Sequence, residues 1–344
     1  MGTKLGDIIQ TQSISLAELS GKKIAVDAFN TLYQFLASIR QPDGTPLMDR
    51  KGQVTSHLSG IFYRNISLLE HGILPVYVFD GKSPELKAKE VERRREIRET
   101  AYTEWQQAKK EGRIEDARKA GQASSRLTKD MIEESKSLLS AMGIPHIQAP
   151  SEGEALAAQM AREGIVWASA SQDNDSLLYN CPRMIKNLSI SGRRRVSRAK
   201  TFKTISPEVI DLDLNLKLLG LTREQLIDIA MLIGTDYNDK VPNVGPKTAL
   251  KLIKKHGCLE VIIKEENKKI EFPYEEIREI FLNSPRIDVS TPEWRNPDLE
   301  KLTTMLCSGH DFSVSRVQSS IENLIKKLED VRGDTQQSSL TDFF

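Results

Sequence analysis

The chain has 344 residues, 39% hydrophobic and 28% charged, with 49 Lys and Arg against 48 Asp and Glu for a net charge of +1. This excludes a disordered or fibrous chain, leaves ample core for one large α/β domain or two smaller ones, and makes any nucleic-acid footprint local. Cys181, Cys258 and Cys307 are scattered without CxxC spacing, excluding a disulfide framework or structural zinc, and with no bilayer-length apolar stretch or signal-peptide core a soluble, cytoplasmic protein is expected.

Residues 1–80 read as strand, helix, strand. Lys22-Lys23-Ile24-Ala25-Val26 runs into Asp27, and Pro75-Val76-Tyr77-Val78-Phe79 runs into Asp80. Between them, residues 54–69 carry Leu58, Ile61, Phe62, Ile66 and Leu69 on one helical face. Ser83-Pro84-Glu85 has the make-up of a helix start, a capping Ser followed by Pro at the first helical position. From 85 to 118, Lys, Arg and Glu dominate a thin apolar set of Leu86, Val91, Ile97, Tyr102 and Trp105. Such a helix cannot bury an ordinary face, so it protrudes into solvent or orders on a ligand, with Gly112 and Gly121 as expected breaks.

Residues 129–142 return to a core helix, with Met131, Ile132, Ser135, Leu138, Leu139 and Met142 in register and Gly143 past its end. A strand near 146–148, a helix over 152–162 and a strand over 165–169 continue the alternation. Arg193-Arg194-Arg195 with Arg198, Lys200 and Lys203 makes a basic loop or hairpin; Ser206-Pro207-Glu208 predicts a further helix start, and Thr222 with Gln225 a capping box opening a helix to Gly234. Residues 285–300 are loop-rich, and a helix over 314–328 precedes a polar tail, with no internal repeat. The expected fold class is α/β, a mostly parallel twisted sheet with helices on both faces.

Seven acids stand where such a fold places its ligands. Asp27 and Asp80 close strand runs, Glu152 and Glu154 open a helix, Asp173 and Asp175 follow the strand at 165–169, and Asp236 follows Ile233-Gly234-Thr235. Strand ends deliver side chains to the C-terminal edge of an open sheet. Any one Asp at such a place can be a simple cap or turn former. The pairs spaced two apart point the same way on a turn, which capping does not require. So many carboxylates in one crevice repel, and hard divalent cations relieve the repulsion through carboxylate and water oxygens. The pattern points to a two-metal hydrolase of phosphate esters.

The segment from Asp236 to Lys247 joins two helices through a turn of Gly, Pro and Asn, and the second helix carries Lys247, Lys251, Lys254 and Lys255. Gly245 at its start offers free N–H groups to a phosphate, and the lysines extend that contact without reading bases. An ordinary helical hairpin with a solvated basic face is the alternative, and the neighbouring Asp236 favours DNA. The last eight residues, Gln337-Ser338-Ser339-Leu340-Thr341-Asp342-Phe343-Phe344, end a polar tail in exposed apolar side chains. Leu340, Phe343 and Phe344 fall on one side of a single helical turn, as a docking plug requires.

On Ala25-Val26-Asp27-Ala28, Val78-Phe79-Asp80-Gly81, Ser151-Glu152-Gly153-Glu154-Ala155, Ser171-Gln172-Asp173-Asn174-Asp175, Gly234-Thr235-Asp236-Tyr237 and the terminal box, the chain resembles the archaeal flap endonucleases of the structure-specific 5′ nuclease family. The resemblance implies Mg²⁺-dependent hydrolysis at the base of 5′ flaps, with 5′–3′ exonuclease activity, in Okazaki-fragment maturation and repair. It implies two ions per subunit, with Mn²⁺ a substitute. Asp27, Asp80, Glu152 and Glu154 would serve one, and Asp173, Asp175 and Asp236 the other, with Glu154 between.

The charged helix would be the family's arch (about 83–128), with Lys87 and Arg94 as catalytic cations facing the scissile phosphate, and Tyr33 would stack on a base near the cut. The turn after Asp236 would be a helix–two-turn–helix element gripping duplex DNA, with K⁺ on backbone oxygens. Asn243 stands where the family usually carries Gly, a residue that tolerates left-handed backbone. The tail would dock, through Gln337, Leu340, Phe343 and Phe344, on a sliding clamp of the proliferating-cell-nuclear-antigen type. The expected organisation is one nuclease domain over 1–330, with an N-terminal region to about 98 and an internal region at about 118–258, then a flexible tail at 331–344. A monomer with no membrane contact is expected. The rivals are a sibling 5′ exonuclease or junction resolvase, sharing every acid, and a non-catalytic clamp-binding scaffold.

Overall fold

The computed structural model describes residues 3–190, 192–195, 202–266 and 270–326. The tail box, including Gln337, Leu340, Phe343 and Phe344, lies outside these residues, as do Arg198 and Lys200. Among the described residues the strands are β1 (Gln12–Ser13), β2 (Lys23–Asp27), β3 (Leu74–Phe79), β4 (His146–Gln148), β5 (Ala168–Ala170), β6 (Arg183–Lys186), β7 (Gly192–Arg195), β8 (Phe202–Ile205) and β9 (Glu208–Asp211). Seven form one sheet in the order β1-β9-β6-β5-β2-β3-β4, while β7 and β8 pair separately as an antiparallel hairpin. The run β4-β3-β2-β5-β6 is parallel, and β9 closes it antiparallel to β6.

The sheet is buried on both faces because side chains alternate along each strand. Ala25, Val76 and Val78 enter one core; Ile24, Val26, Tyr77 and Phe79 enter the other. The first is covered by α6 (Gly153–Arg162), α7 (Asp175–Leu178), α9 (Arg223–Ile233), α10 (Pro246–His256), α11 (Leu259–Glu265) and α12 (Tyr274–Leu282). The second is covered by α1 (Ala28–Ser38), α2 (Ser56–Glu70), α5 (Lys129–Ala141), α13 (Leu299–Thr303) and a helix over 314–326. α3 (Ala88–Lys110) and α4 (Ile114–Ala123) form an antiparallel pair, and α8 (Leu212–Leu219) follows β9. The chain steps outward from β2 through β3 to β4, then crosses to β5 on the other side of β2. That reversal opens a crevice beyond the C-terminal ends of β2 and β5, where open sheets bind ligands.

Several sequence expectations need correcting. Ser206-Pro207-Glu208 opens no helix; residues 208–211 form β9, and Asp211 caps α8 by accepting from the Leu214 N–H at 2.8 Å. Ser83 is not a cap, since Pro84 is extended and a 3-10 turn, Glu85–Lys87, leads into α3. Gly112 does separate α3 from α4, whereas Gly121 lies inside α4, pressed against Gly44. The strand expected at 165–169 is β5, at 168–170. The capping box at Thr222 and Gln225 is present. Asn243 adopts the left-handed backbone expected of it, with φ 60°. Among the described residues no helix is long and apolar enough to cross a membrane.

Candidate active site

Asp27 ends β2 and caps α1, accepting from the Asn30 N–H at 2.9 Å and the Ser171 hydroxyl at 3.2 Å. Asp80 follows β3 and accepts from the Gly153 N–H at 2.7 Å. A Cβ at 153 would lie 2.7 Å from that same Asp80 oxygen, so a larger residue there would displace the carboxylate. Glu152 precedes α6, and Glu154, in its first turn, accepts from Ser171 at 3.1 Å. Asp173 is held by the Asn30 side-chain amide at 3.0 Å, and Asp175 by the Thr3 N–H at 2.8 Å. Asp236 is buried in the turn that follows α9.

All seven acids face one basin, and their mutual effects show it. Burial pushes Asp27 up to about 8, with Asp80 and then Asp173 adding to the shift. Burial also raises Asp80 to about 6, with Glu152 and Asp236 contributing, and Asp175 to about 6, with Asp236 and Asp173 contributing. Glu154 is held well above the usual range by burial and by Asp175, Asp27 and Asp173. Each shift has the same meaning: desolvated like charges resist ionising together.

Two cations reach into the basin from the α3 side. Lys87 Nζ stands 2.5 Å from Glu152 and 3.1 Å from Asp236, and Arg94 donates to Asp236 at 2.5 Å. Burial works against both charges, but Glu152 and Asp236 outweigh it for Lys87, and Asp236 with Glu90 does so for Arg94, so both stay protonated. The sequence-predicted cations and acids therefore share one site.

The donor set of the basin is all carboxylate, with no His or Cys. Among the described residues no group of three or more His, Cys, Asp or Glu is gathered tightly enough to cage an ion directly. A wide, oxygen-only basin fits a hydrated hard cation such as Mg²⁺, which takes one or two carboxylates and keeps several waters. Any of the seven acids could supply that carboxylate.

Apart from the acids, Tyr33 lies on α1 with the Arg98 guanidinium over its ring at 4.8 Å. Gly245 precedes α10, whose Ala249 and Ile253 are buried while Lys247, Lys251 and Lys254 are exposed on the other side. The turn before α10 is built on polar links, with the Asn238 amide donating to the Met231 carbonyl at 2.8 Å and the Val241 N–H to Leu232 at 3.0 Å. Sequence reasoning missed Asn30, Ser171, Thr3 and Glu90. Asn30 and Ser171 lie within three residues of acids already singled out, a usable signal. Thr3 meets Asp175 across 172 positions and gives none.

An XPG N-terminal domain model matches residues 3–101, and an XPG I-region model matches residues 143–236. The chain is 51% identical over 332 residues to flap endonuclease 1 of Hyperthermus butylicus, covering 95% of each. The solved flap endonuclease-1 of Methanococcus jannaschii is 40% identical, with a TM-score of 0.74, over 96% of this chain and 99% of that one. The catalytic core of Rad2 in complex with DNA substrate is 26% identical, with a TM-score of 0.70, over 94% of this chain and all of that one.

Proposed function

The chain belongs to the flap endonuclease 1 family, and from that premise we propose how its own residues divide the work of cutting a 5′ flap. It is a structure-specific 5′ flap endonuclease, a metal-dependent hydrolase of DNA phosphodiesters in replication and repair. The observation that carries the assignment of roles is the insertion of Lys87 and Arg94 among the acids, where they balance Glu152 and Asp236.

In this reading the seven acids would hold Mg²⁺, Asp27, Asp80, Glu152 and Glu154 serving one ion and Asp173, Asp175 and Asp236 the other, with Glu154 between. Mg²⁺ held there would supply Lewis-acid activation of a water and charge stabilisation at the phosphate. Lys87 and Arg94 exchange their carboxylate partners for phosphoryl oxygens of the DNA and stabilise charge as it develops. Tyr33 stacks on a base beside the cut. Lys247, Lys251 and Lys254 grip the duplex backbone from the α10 face, with K⁺ on the preceding turn. Residues 1–330 act as the nuclease and 331–344 as a tether whose Gln337, Leu340, Phe343 and Phe344 dock on a sliding clamp.

The test is cleavage of a labelled double-flap DNA with and without Mg²⁺, mapped to the nucleotide, for the native protein and for Asp80→Ala and Asp173→Ala. Losing a Lewis-acid ion should slow cutting by more than about a hundredfold while flap-DNA binding stays near native. Cleavage within about tenfold of native for either variant would show the metal basin to be misassigned.

A further inference from the structure

The geometry points to Glu90 as a positioning residue that sets the guanidinium of Arg94 toward the basin. Glu90 lies in the first turn of α3, one helical turn before Arg94. Its Oε1 accepts from Arg94 Nε at 2.7 Å, while the terminal NH2 of the same guanidinium reaches Asp236 at 2.5 Å. The fork is thus fixed at both ends, by its own helix on one side and the basin on the other. Arg93 completes the hold on Glu90, donating from Nε to Oε2 at 2.7 Å and from NH2 to Oε1 at 3.0 Å.

A carboxylate withdrawn from solvent is a costly placement unless it is paired. On a helix whose charged side chains are mostly solvated, Glu90 is only 12% exposed. Burial tends to raise it, yet Arg93 and Arg94 hold it below the usual carboxylate range. An exposed i,i+4 pair would merely steady the helix. Here the arginine's far end is tied to Asp236 across 142 positions, so the pair fixes a side chain between two elements. Planar guanidinium makes this effective, because fixing one edge of the fork orients the other.

The inference rests on the reading that Arg94 serves the reaction, and a double-mutant cycle on the single-turnover rate separates the two. Flap cleavage is measured at saturating protein and Mg²⁺ for Glu90→Ala, Glu90→Gln, Arg94→Ala and the Glu90→Ala/Arg94→Ala pair, with DNA affinity and Tm alongside. Simple electrostatics favours faster or tighter action on a polyanion once an acid is removed. Positioning requires the opposite: Glu90→Ala slows cutting about tenfold or more at nearly native affinity, and Glu90→Gln, which keeps one acceptor, falls between. In the Arg94→Ala background the Glu90 change should cost less than about twofold. Equal slowing in both backgrounds, or no slowing in the native one, sinks the inference and leaves Arg94's role standing. Arg94→Ala cutting at the native rate removes that role and the inference with it.

Discussion

Gly44→Ala tests how the α3–α4 pair is held over the basin. The pair rests on the turn at residues 40–46, where Trp105 donates from its indole to the Asp43 carbonyl at 3.1 Å. Lys109 reaches Thr45 at 2.7 Å and Asp43 at 3.0 Å, and Arg40 donates to the Gly44 carbonyl at 2.7 Å. Gly44 has φ +80°, and a Cβ on it would meet the Ala117 carbonyl oxygen at 2.6 Å and Trp105 Nε1 at 3.1 Å. Left-handed backbone costs an alanine about 1–2 kcal/mol, and forcing the Cβ into a closed contact about 1–3 more. The total, roughly 2–5 kcal/mol, falls on docking rather than on the core, since α3 and α4 bury little beyond Ala101, Ala108, Ala117 and Gly121. At about 1.4 kcal/mol per tenfold, amide protection across 88–123 should fall at least about thirtyfold, with β2 and β3 unchanged. Hydrogen exchange read by mass spectrometry is the assay, and cleavage should slow because Lys87 and Arg94 sit at the foot of α3. Native protection in 88–123, or a loss spread evenly into β2 and β3, would refute the docking argument.

Three further outcomes follow from other parts of the molecule. Burial lowers the His57 imidazole from 6.5 to about 4, although Glu134 faces its Nε2 at 2.9 Å, so between those values the unfolded chain binds the extra proton. Stability should therefore fall as pH drops from about 6.5 to about 4, by up to about 3 kcal/mol, and urea titrations of His57→Gln should show a shallower fall than the native protein. Asp228→Ala strips the Leu259 N–H and Arg278 of their buried acceptor, bonds of 2.9 and 2.7 Å, and should cost about 3–5 kcal/mol in chemical denaturation. A cost under about 1 kcal/mol would mean that water replaces the carboxylate. Phe343→Ala with Phe344→Ala should weaken clamp binding at least several-hundred-fold by calorimetry, at ~2 kcal/mol or more per aromatic, and leave clamp-independent cleavage unchanged. Undiminished clamp binding would remove the tail's assigned role.

The acids were legible because a strand buried on both faces must be nearly all apolar, so a carboxylate at its end stands out, as at Asp27 and Asp80. The same logic fails at the sheet's far edge. β1 has two residues and β9 reads Glu-Val-Ile-Asp, too short and mixed for periodicity to register. Ser206-Pro207-Glu208 misled because a Pro that opens a helix also suits a strand entry, and here the Pro207 carbonyl accepts from Ile14 at 3.0 Å. Gly121 read as a breaker because its real reason, the Gly44 carbonyl 2.7 Å from where its Cβ would be, lies far away in sequence. Local chemistry was visible; contacts between distant segments were not.

The near-neutral net charge conceals how the charges are arranged. A protein that cuts a polyanion over a carboxylate basin faces two opposed demands, since the acids that bind metal also repel the substrate. The fold answers by separation. Lys247, Lys251, Lys254 and Lys255 are exposed on α10, while Lys87, in the turn that leads into α3, and Arg94, on α3 itself, enter the basin from a helix with too little apolar surface to be fixed by burial. Lys87 and Arg94 are held by Glu152, Asp236 and Glu90. Lys87 and Arg94, with Lys186 facing Asp173 and Asp175, cannot balance seven acids, so the remainder falls to protons or to divalent ions, in keeping with Asp27, Asp80, Glu154 and Asp175 all sitting above their ordinary range. On the roles proposed above, metal binding and the release of Lys87 and Arg94 to a phosphate would be linked: each ion that took over a carboxylate's balance would weaken that carboxylate's hold on its cation.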